Sequence, residues 1–354
     1  MSQDYCKNSR LQSNVHSSYL PQIKQAVQEM IEKDPHRFTR SEEPFVIADL
    51  GCADGKNSIG TLQTIIQLVR TANPNLPITI YLTDTPSNDF TRAMKTVTEG
   101  LQNFSDICIF SSGKTFYDRL FPQKSIDLFL SFTSLHWCSK RPTKDLKNLI
   151  HFLTEENIHT PSSQIMLQVA LEDWKSFVTN REKELKSNGR LLVSTFTTHK
   201  NMKSHDKNFM YMFDVLGETM NSTLIDHGLS HLQNKIIMNM VCRQEDHYRK
   251  AFEDKETALE LLQYHMYDVK DPLGDAYETD KDLEKYASKY GQWVRGFSEG
   301  VYRAELQREG VSKEQVDRIL RDFYNLNVPT AFMGEFEKYV GYMTFNLMVI
   351  EKLH

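Results

Sequence analysis

The stretch FVIADLGCADGKNSIG, residues 45–60, joins an apolar run to a glycine-rich turn and then to the start of a helical pattern. An acidic residue, Asp49, stands near the end of the run, and Gly51 and Gly55 follow it. Strand, acidic end, glycine turn and helix in that order belong to a doubly wound α/β sheet. There, ligands sit beyond the carboxyl ends of the strands, and glycine lets the backbone come close to them. The same rhythm continues outward. SIGTLQTIIQLVR (58–70) has helical periodicity, while ITIYLTD (78–84), DICIFSSG (106–113), SIDLFLSF (125–132) and GRLLVSTF (189–196) are short apolar runs. This β-α-β-β pattern, with nearly continuous hydrophobicity, suits strands buried on both faces. Residues 163–187 read as a long amphipathic helix stopping at Asn188-Gly189, and FNLMVIEKL (345–353) as one more strand.

Elsewhere the texture differs. From about 200 to 330 the chain is rich in Met, Tyr and charge, as in NFMYMFDVLGETMNSTLI (208–225) and SKEQVDRILRDFYNLN (312–327), which predicts a helical cap inserted into the connectivity of the sheet. The expected division is an α/β domain of residues 1–200 with 340–354, and a mostly helical substrate cap of residues 201–339.

Composition narrows the class. The 354 residues carry a net charge of -5, with no basic block interleaved with aromatics, which argues against nucleic-acid binding and for a small-molecule partner. No run is long and apolar enough for a membrane span, and MSQDYCKNSRLQ lacks the apolar core of a signal peptide, so a cytoplasmic protein is expected. Five cysteines, Cys6, Cys52, Cys108, Cys138 and Cys242, lie far apart without a C-x-x-C pair, so they read as reduced thiols rather than disulfides or a metal site. The oligomeric state is open, a homodimer being the commonest form.

The turn after the first strand differs from the dinucleotide G-x-G-x-x-G, and G-x-x-x-x-G-K-[ST] is absent, so pyrophosphate binding is disfavoured. A second acidic residue, Asp84, ends ITIYLTD, where a carboxylate can accept from both hydroxyls of a ribose. A nucleoside cofactor without phosphates, S-adenosylmethionine, fits these features. Taken singly, Asp49 is equally well a helix-capping residue, and Asp84 the start of the turn TDTPSND.

IADLGCADGKNS (47–58), YLTDTPSNDF (81–90), KTFYDRLFP (114–122) and SFTSLHWCS (131–139) resemble, in order and spacing, the motifs of the SABATH family of S-adenosylmethionine-dependent carboxyl methyltransferases. YCKNSRLQ (5–12) is similar to that family's N-terminal signature, and the likeness runs on through EDWKSFVTNREKELKSNGRLLV (172–193). The resemblance implies a Rossmann-like methyltransferase sheet and an N-terminal lid, residues 1–15, folded over cofactor and substrate. It places Ser9 against the cofactor and Gln12 against the substrate, with Tyr5 and Asn8 lining the closed site. Asp49, Gly51, Cys52 and Asn57 would surround the methionine end, Asp84 and Thr85 the ribose and adenine, and Thr115 and Phe116 the adenine. Ser131 would line the neck between cofactor and substrate. Four departures stand out: ADGK in the glycine turn, Thr85 for a larger apolar residue, Thr133 for the common Tyr, and no room upstream of Tyr5 for a family lysine.

His136 and Trp137 follow an apolar strand, on the side where chemistry is expected. An indole N–H only donates and the Gln12 amide can donate as well, and two converging donors favour an anion. Without the family likeness, His136-Trp137 reads as a buried aromatic pair. The resemblance assigns the substrate carboxylate to Gln12 and Trp137, with His136 lining the pocket. No metal and no catalytic triad are expected. Trp174, Phe209, Tyr211, Phe213 and Phe332 are candidates by region for the rest of the pocket, with core packing the competing role. Two rival functions remain at this level: N-methylation of a small heterocycle, and S-adenosylmethionine binding without catalysis.

Overall fold

The computed structural model describes residues 10–39, 42–141, 153–200, 212–253, 257–270, 272–334 and 342–353. Its strands are β1 (Phe45–Leu50), β2 (Ile78–Asp84), β3 (Ile107–Gly113), β4 (Ile126–Phe132), β5 (Leu185–Thr198), β6 (Arg243–Gln244), β7 (Leu259–Lys270) and β8 (Tyr342–Lys352). They form one sheet in the order β3-β2-β1-β4-β5-β8-β7, with β6 beside β5. The pairs β2–β3, β1–β2, β1–β4 and β4–β5 are parallel, and β8 runs antiparallel to both its neighbours. The chain order reverses between β1 and β4, which opens a crevice at their carboxyl ends.

Burial follows from the strand sequences. β4, IDLFLSF, is buried at every position, with Leu128 and Leu130 packed into one core and Phe129 into the other. On the first face the helices Arg10–Lys33 and Ile59–Ala72 contribute Ile23, Val27, Leu62 and Ile66. On the second, Pro161–Glu184 contributes Trp174, Phe177 and Val178, and Glu245–Glu253 contributes Tyr248. The one acid inside β4, Asp127, is offset by Arg37 and Lys186, each at 3.0 Å.

Three expectations change. A helix, Phe90–Gly100, intervenes between β2 and β3; only Ala93 and Val97 of it are buried, too faint an apolar stripe to read. Residues 201–339 are not wholly outside the sheet, because β7 pairs with β8 along its length. β7 is an edge strand, LELLQYHMYDVK, with only Leu259 and Val269 buried, so it lacks the continuous apolar run that marked the others. The long helix ends at Glu184 rather than at Asn188-Gly189, because Lys124 N–H and Ser125 N–H take the carbonyls of Lys183 and Glu184 and Leu185 turns into β5. The cap proper is the helices Met212–Asp226, Leu283–Arg308, Lys313–Asp322 and Val328–Gly334 with the π-turn Phe323–Asn327.

A fully buried ion pair braces the loop after β3. Arg181 Nη2 meets Glu184 Oε2 at 2.8 Å. Arg181 also donates to the carbonyls of Phe116 and Asp118 at 2.8 and 2.9 Å, while Glu184 accepts from the N–H groups of Leu120 and Phe121 at 2.5 and 3.0 Å. Replacing Arg181 by Met would strand the Glu184 charge. Arg181→Met should cost about 3–5 kcal/mol in denaturant unfolding, and the double variant with Glu184→Gln should recover part of it.

Candidate functional site

The turn after β1 is stitched to the end of β2. Gly51 N–H and Cys52 N–H donate to the Thr83 carbonyl at 2.8 and 3.1 Å, and Ala53 N–H donates to Asp84 Oδ2 at 2.8 Å. Asp84 Oδ1 accepts from Thr85 N–H at 2.8 Å. Asn88 Nδ2 donates to the Ala53 carbonyl at 2.7 Å. Left-handed backbone is required at Gly51 (φ 84°), Ala53 (φ 52°) and Gly55 (φ 76°). A Cβ at Gly51 would fall 2.2 Å from Ser134 Oγ, which donates to the Gly51 carbonyl at 3.3 Å, so only glycine fits.

Two acids lie beneath this turn. Asp49 is 3 % exposed and accepts from Ser58 Oγ at 2.5 Å, so Ser58 opens the next helix without capping it through its side chain. Burial, opposed by that hydrogen bond and reinforced by the Asp84 charge, pushes the Asp49 carboxyl from 3.8 up to about 6. Burial also raises Asp84, against the hydrogen bonds from Ala53 and Thr85. Among the described residues neither acid has a cationic partner within ion-pair distance. Two buried carboxylates with no described cation within ion-pair distance suit a ligand that carries a positive charge and a diol.

The expected cofactor set is therefore divided in space. Asp49, Gly51, Cys52 and Asn57 belong to the β1 turn, Asp84 and the exposed Thr85 to the end of β2, and Ser131 to β4, where its Oγ donates to the Leu50 carbonyl at 3.2 Å. Thr115 and Phe116 follow β3, and the Phe116 ring reaches the Gly51 turn, 3.6 Å from where a Cβ would stand. Tyr5, Asn8 and Ser9 lie outside the described residues, as do Phe209 and Tyr211; Gln12 lies on the first turn of Arg10–Lys33.

Beyond β4 is a cavity of about 400 Å³ counting its open mouth. It is lined by Thr133, His136, Trp137 and Met240 together with the aromatic rings of Phe196, Phe213, Trp293 and Phe297. Thr133 has φ 54°, an outlier for a β-branched residue, of the kind that costs about 1–3 kcal/mol and concentrates at working sites. His136 is buried, with Nδ1 3.4 Å from Thr195 Oγ1 and its ring 4.6 Å from that of Phe196. Burial and the charge of Arg243 push its pKa down to about 3, so the imidazole is neutral. Among the described residues the Trp137 indole N–H has no acceptor.

Two pocket expectations are corrected. Trp174 lies in the core of the opposite sheet face, its indole donating to the Tyr248 carbonyl at 3.0 Å and its ring stacked on Phe177. Phe332 packs on Tyr290, ring centroids 3.7 Å apart, inside the cap. Both sequences looked right because aromatic residues serve cores and pockets alike. Tyr117 was missed: its hydroxyl donates to the Trp137 carbonyl at 2.5 Å, tying the loop after β3 to the loop after β4. Its place in KTFYDRLFP was the available signal.

The raised Asp49 predicts a pH effect on stability. The group's favourable contribution is complete below the unfolded pKa near 3.8 and is lost as pH rises through about 6. Asp49→Asn removes this loss. The variant should unfold about 2–3 kcal/mol harder than the wild type at pH 8, with the difference shrinking toward zero near pH 4, in ligand-free denaturant titrations.

A family model described as "SAM dependent carboxyl methyltransferase" matches residues 1–328. The chain is 28% identical over 244 residues to a probable jasmonic acid carboxyl methyltransferase 1 of Theobroma cacao, covering 64% of this chain and 63% of that protein. It is 27% identical over 319 residues to a salicylate/benzoate carboxyl methyltransferase of Arabidopsis thaliana, covering 86% of this chain and 81% of that one. The chain thus spans just under two thirds of the first relative and more of the second. A solved structure, loganic acid methyltransferase with SAH, superposes with a TM-score of 0.77 over 99% of this chain and 96% of its own at 17% identity, which shows a shared Rossmann-like fold. With the family model spanning every strand but β8 and most of the cap, the chain belongs to the SAM-dependent carboxyl methyltransferases.

Proposed function

We propose that this protein methylates the carboxylate of a small, largely apolar acid with S-adenosylmethionine as donor. The observation that carries the reading is the cavity beyond β4: an aromatic chamber with no acidic side chain and no Lys or Arg among its described lining residues, and with the Trp137 indole N–H, which has no acceptor among the described residues, as its donor. Family membership and the buried carboxylates Asp49 and Asp84 support it from the cofactor side.

When bound, S-adenosylmethionine supplies an electrophilic methyl group on a sulfonium. Asp84 would hold the ribose hydroxyls through the lone pairs left after accepting from Ala53 and Thr85, and the Asp49 charge would lie under the methionine end. Phe116 and Thr115 would border the adenine. Trp137, with Gln12 on the first turn of Arg10–Lys33, would orient the acid by donating to the oxygen that does not attack.

No general base is required. A carboxylic acid of pKa roughly 4–5 is already ionised near neutrality. His136, neutral and buried, therefore shapes the pocket rather than relaying a proton. The protein's contribution is alignment, which can be worth on the order of 7–11 kcal/mol when the reacting atoms are held near contact. Phe196, Phe213, Trp293 and Phe297 keep that contact dry.

The described cysteines, Cys52, Cys108, Cys138 and Cys242, are free thiols, which accords with work in the reducing cytoplasm. Among the described residues no helix is long and apolar enough to cross a membrane.

The test uses methyl-labelled S-adenosylmethionine with benzoate, salicylate, jasmonate, dodecanoate and farnesoate, each beside its primary amide. Label is expected in a base-labile, extractable ester from at least one acid and from no amide. Trp137→Phe should then lower kcat/KM for that acid ten- to a hundredfold, the usual consequence of losing a donor to a charged group. Label in base-stable products, or a silent Trp137→Phe, would favour nitrogen methylation. Cofactor binding with no labelled product from any acid would point to a binding protein.

A further inference from the structure

Arg243 is a fully buried cation. Its Nη1 donates to the Leu135 carbonyl at 2.6 Å, and its Nε and Nη2 both donate to the Ala170 carbonyl at 3.0 and 2.7 Å. The guanidinium carbon stands 5.8 Å from the centre of the Tyr248 ring. No carboxylate of a described residue comes within ion-pair distance. The nearby acid, Asp173, is engaged by Ser139, accepting from its N–H at 2.6 Å and from its hydroxyl at 2.5 Å. Carbonyl dipoles and a ring face solvate the guanidinium, but they leave its charge uncancelled in the interior.

The place of that charge gives it meaning. Leu135, which holds Nη1, immediately precedes His136 and Trp137 on the cavity wall. Met240, three residues before Arg243, lines the same cavity and bridges to Trp137 through the backbone. The guanidinium thus lies behind the wall that carries the indole donor, bonded to the peptide that leads into His136.

We propose that Arg243 is the fixed positive charge of the acceptor site, a positioning residue that offsets the desolvation of an entering carboxylate from behind the His136-Trp137 loop. The proposal rests on the carboxylate reading above. A cation set behind the wall suits this chemistry better than one in the cavity. It lowers the cost of stripping water from the anion, yet it donates no hydrogen bond to the attacking oxygen and so does not quench it. Since methyl transfer neutralises the carboxylate, the charge favours the bound acid at least as much as the transition state. Its loss should therefore appear in KM rather than in kcat.

The experiment measures kcat and KM for the best-labelled acid of the panel. Dissociation constants for that acid and for its primary amide are measured on protein saturated with S-adenosylhomocysteine. Arg243→Met should raise KM for the acid tenfold or more with kcat within about threefold, and should shrink the preference for acid over amide by a similar factor, while Arg243→Lys keeps most of that preference. Equal weakening of acid and amide in Arg243→Met, or Arg243→Lys behaving like Met, would mean that Arg243 only pins Leu135 to Ala170 and would overturn the proposal.

Should neither variant fold, the wild type decides through the affinity for the acid between pH 7 and 9. Around Arg243, the Tyr117 and Tyr248 phenols and the Cys138 and Cys242 thiols are pushed up by burial, Cys138 to about 12, and the imidazoles of His136 and His247 are pushed down to about 3 and about 4, so none of them changes charge in that range. A fixed guanidinium then gives constant affinity; a fall of about tenfold per pH unit would put the charge on a titrating imidazole instead and sink the proposal. If the wild type methylates no acid of the panel, the carboxylate reading fails first and this proposal falls with it.

Discussion

Everything at the carboxyl edge of the sheet depends on the close approach at Gly51. Its N–H donates to β2 through Thr83, its carbonyl accepts from Ser134 beyond β4, and its missing side chain leaves room for that hydroxyl. The crossover between β1 and β4 is thereby held open as a crevice with a defined floor. A side chain here would push the two strand ends apart, and the acids beneath would lose their common orientation. The same turn is held by Asp84 through Ala53, so the proposed ribose anchor is also part of the scaffold.

Charge is sorted across that crevice. Among the described residues, Asp49 and Asp84 lie under the β1 and β2 ends with no cation within ion-pair distance, and Arg243 lies behind the β4 loop with no carboxylate within that distance. Unpaired buried charges are costly to a fold that uses them only for stability. Their separation becomes intelligible when a cationic donor and an anionic acceptor meet between them. The raised Asp49 is then a cost of the ligand-free protein that a bound cation relieves.

The two halves of the site are coupled through the backbone. Arg181 and Glu184 hold the loop from Phe116 to Phe121, and Tyr117 in that loop reaches the Trp137 carbonyl. A single brace in the long helix thus sets both the edge of the cofactor crevice and the seat of the indole donor. The strained Thr133 beside them shows a β4 end shaped for the cavity rather than for local comfort.

By itself the sequence determined the doubly wound sheet, the strands β1 to β5 and β8, the glycine turn and the family. These are written in local pattern: runs of apolar residues with period two or none, and motifs whose members lie within a dozen positions. Only the tertiary structure decided what depends on distant partners. β7 escaped because its alternation is that of a half-exposed edge, and the long helix stops where Lys124 and Ser125 capture its carbonyls. Trp174 and Phe213 are equally aromatic, yet one fills the far core and the other the cavity, since which sheet face a helix covers is set by topology. Arg243 was illegible for the same reason: in MVCRQE it is an ordinary basic residue, and only the fold buries it between Leu135 and Ala170, from parts of the chain far away in sequence.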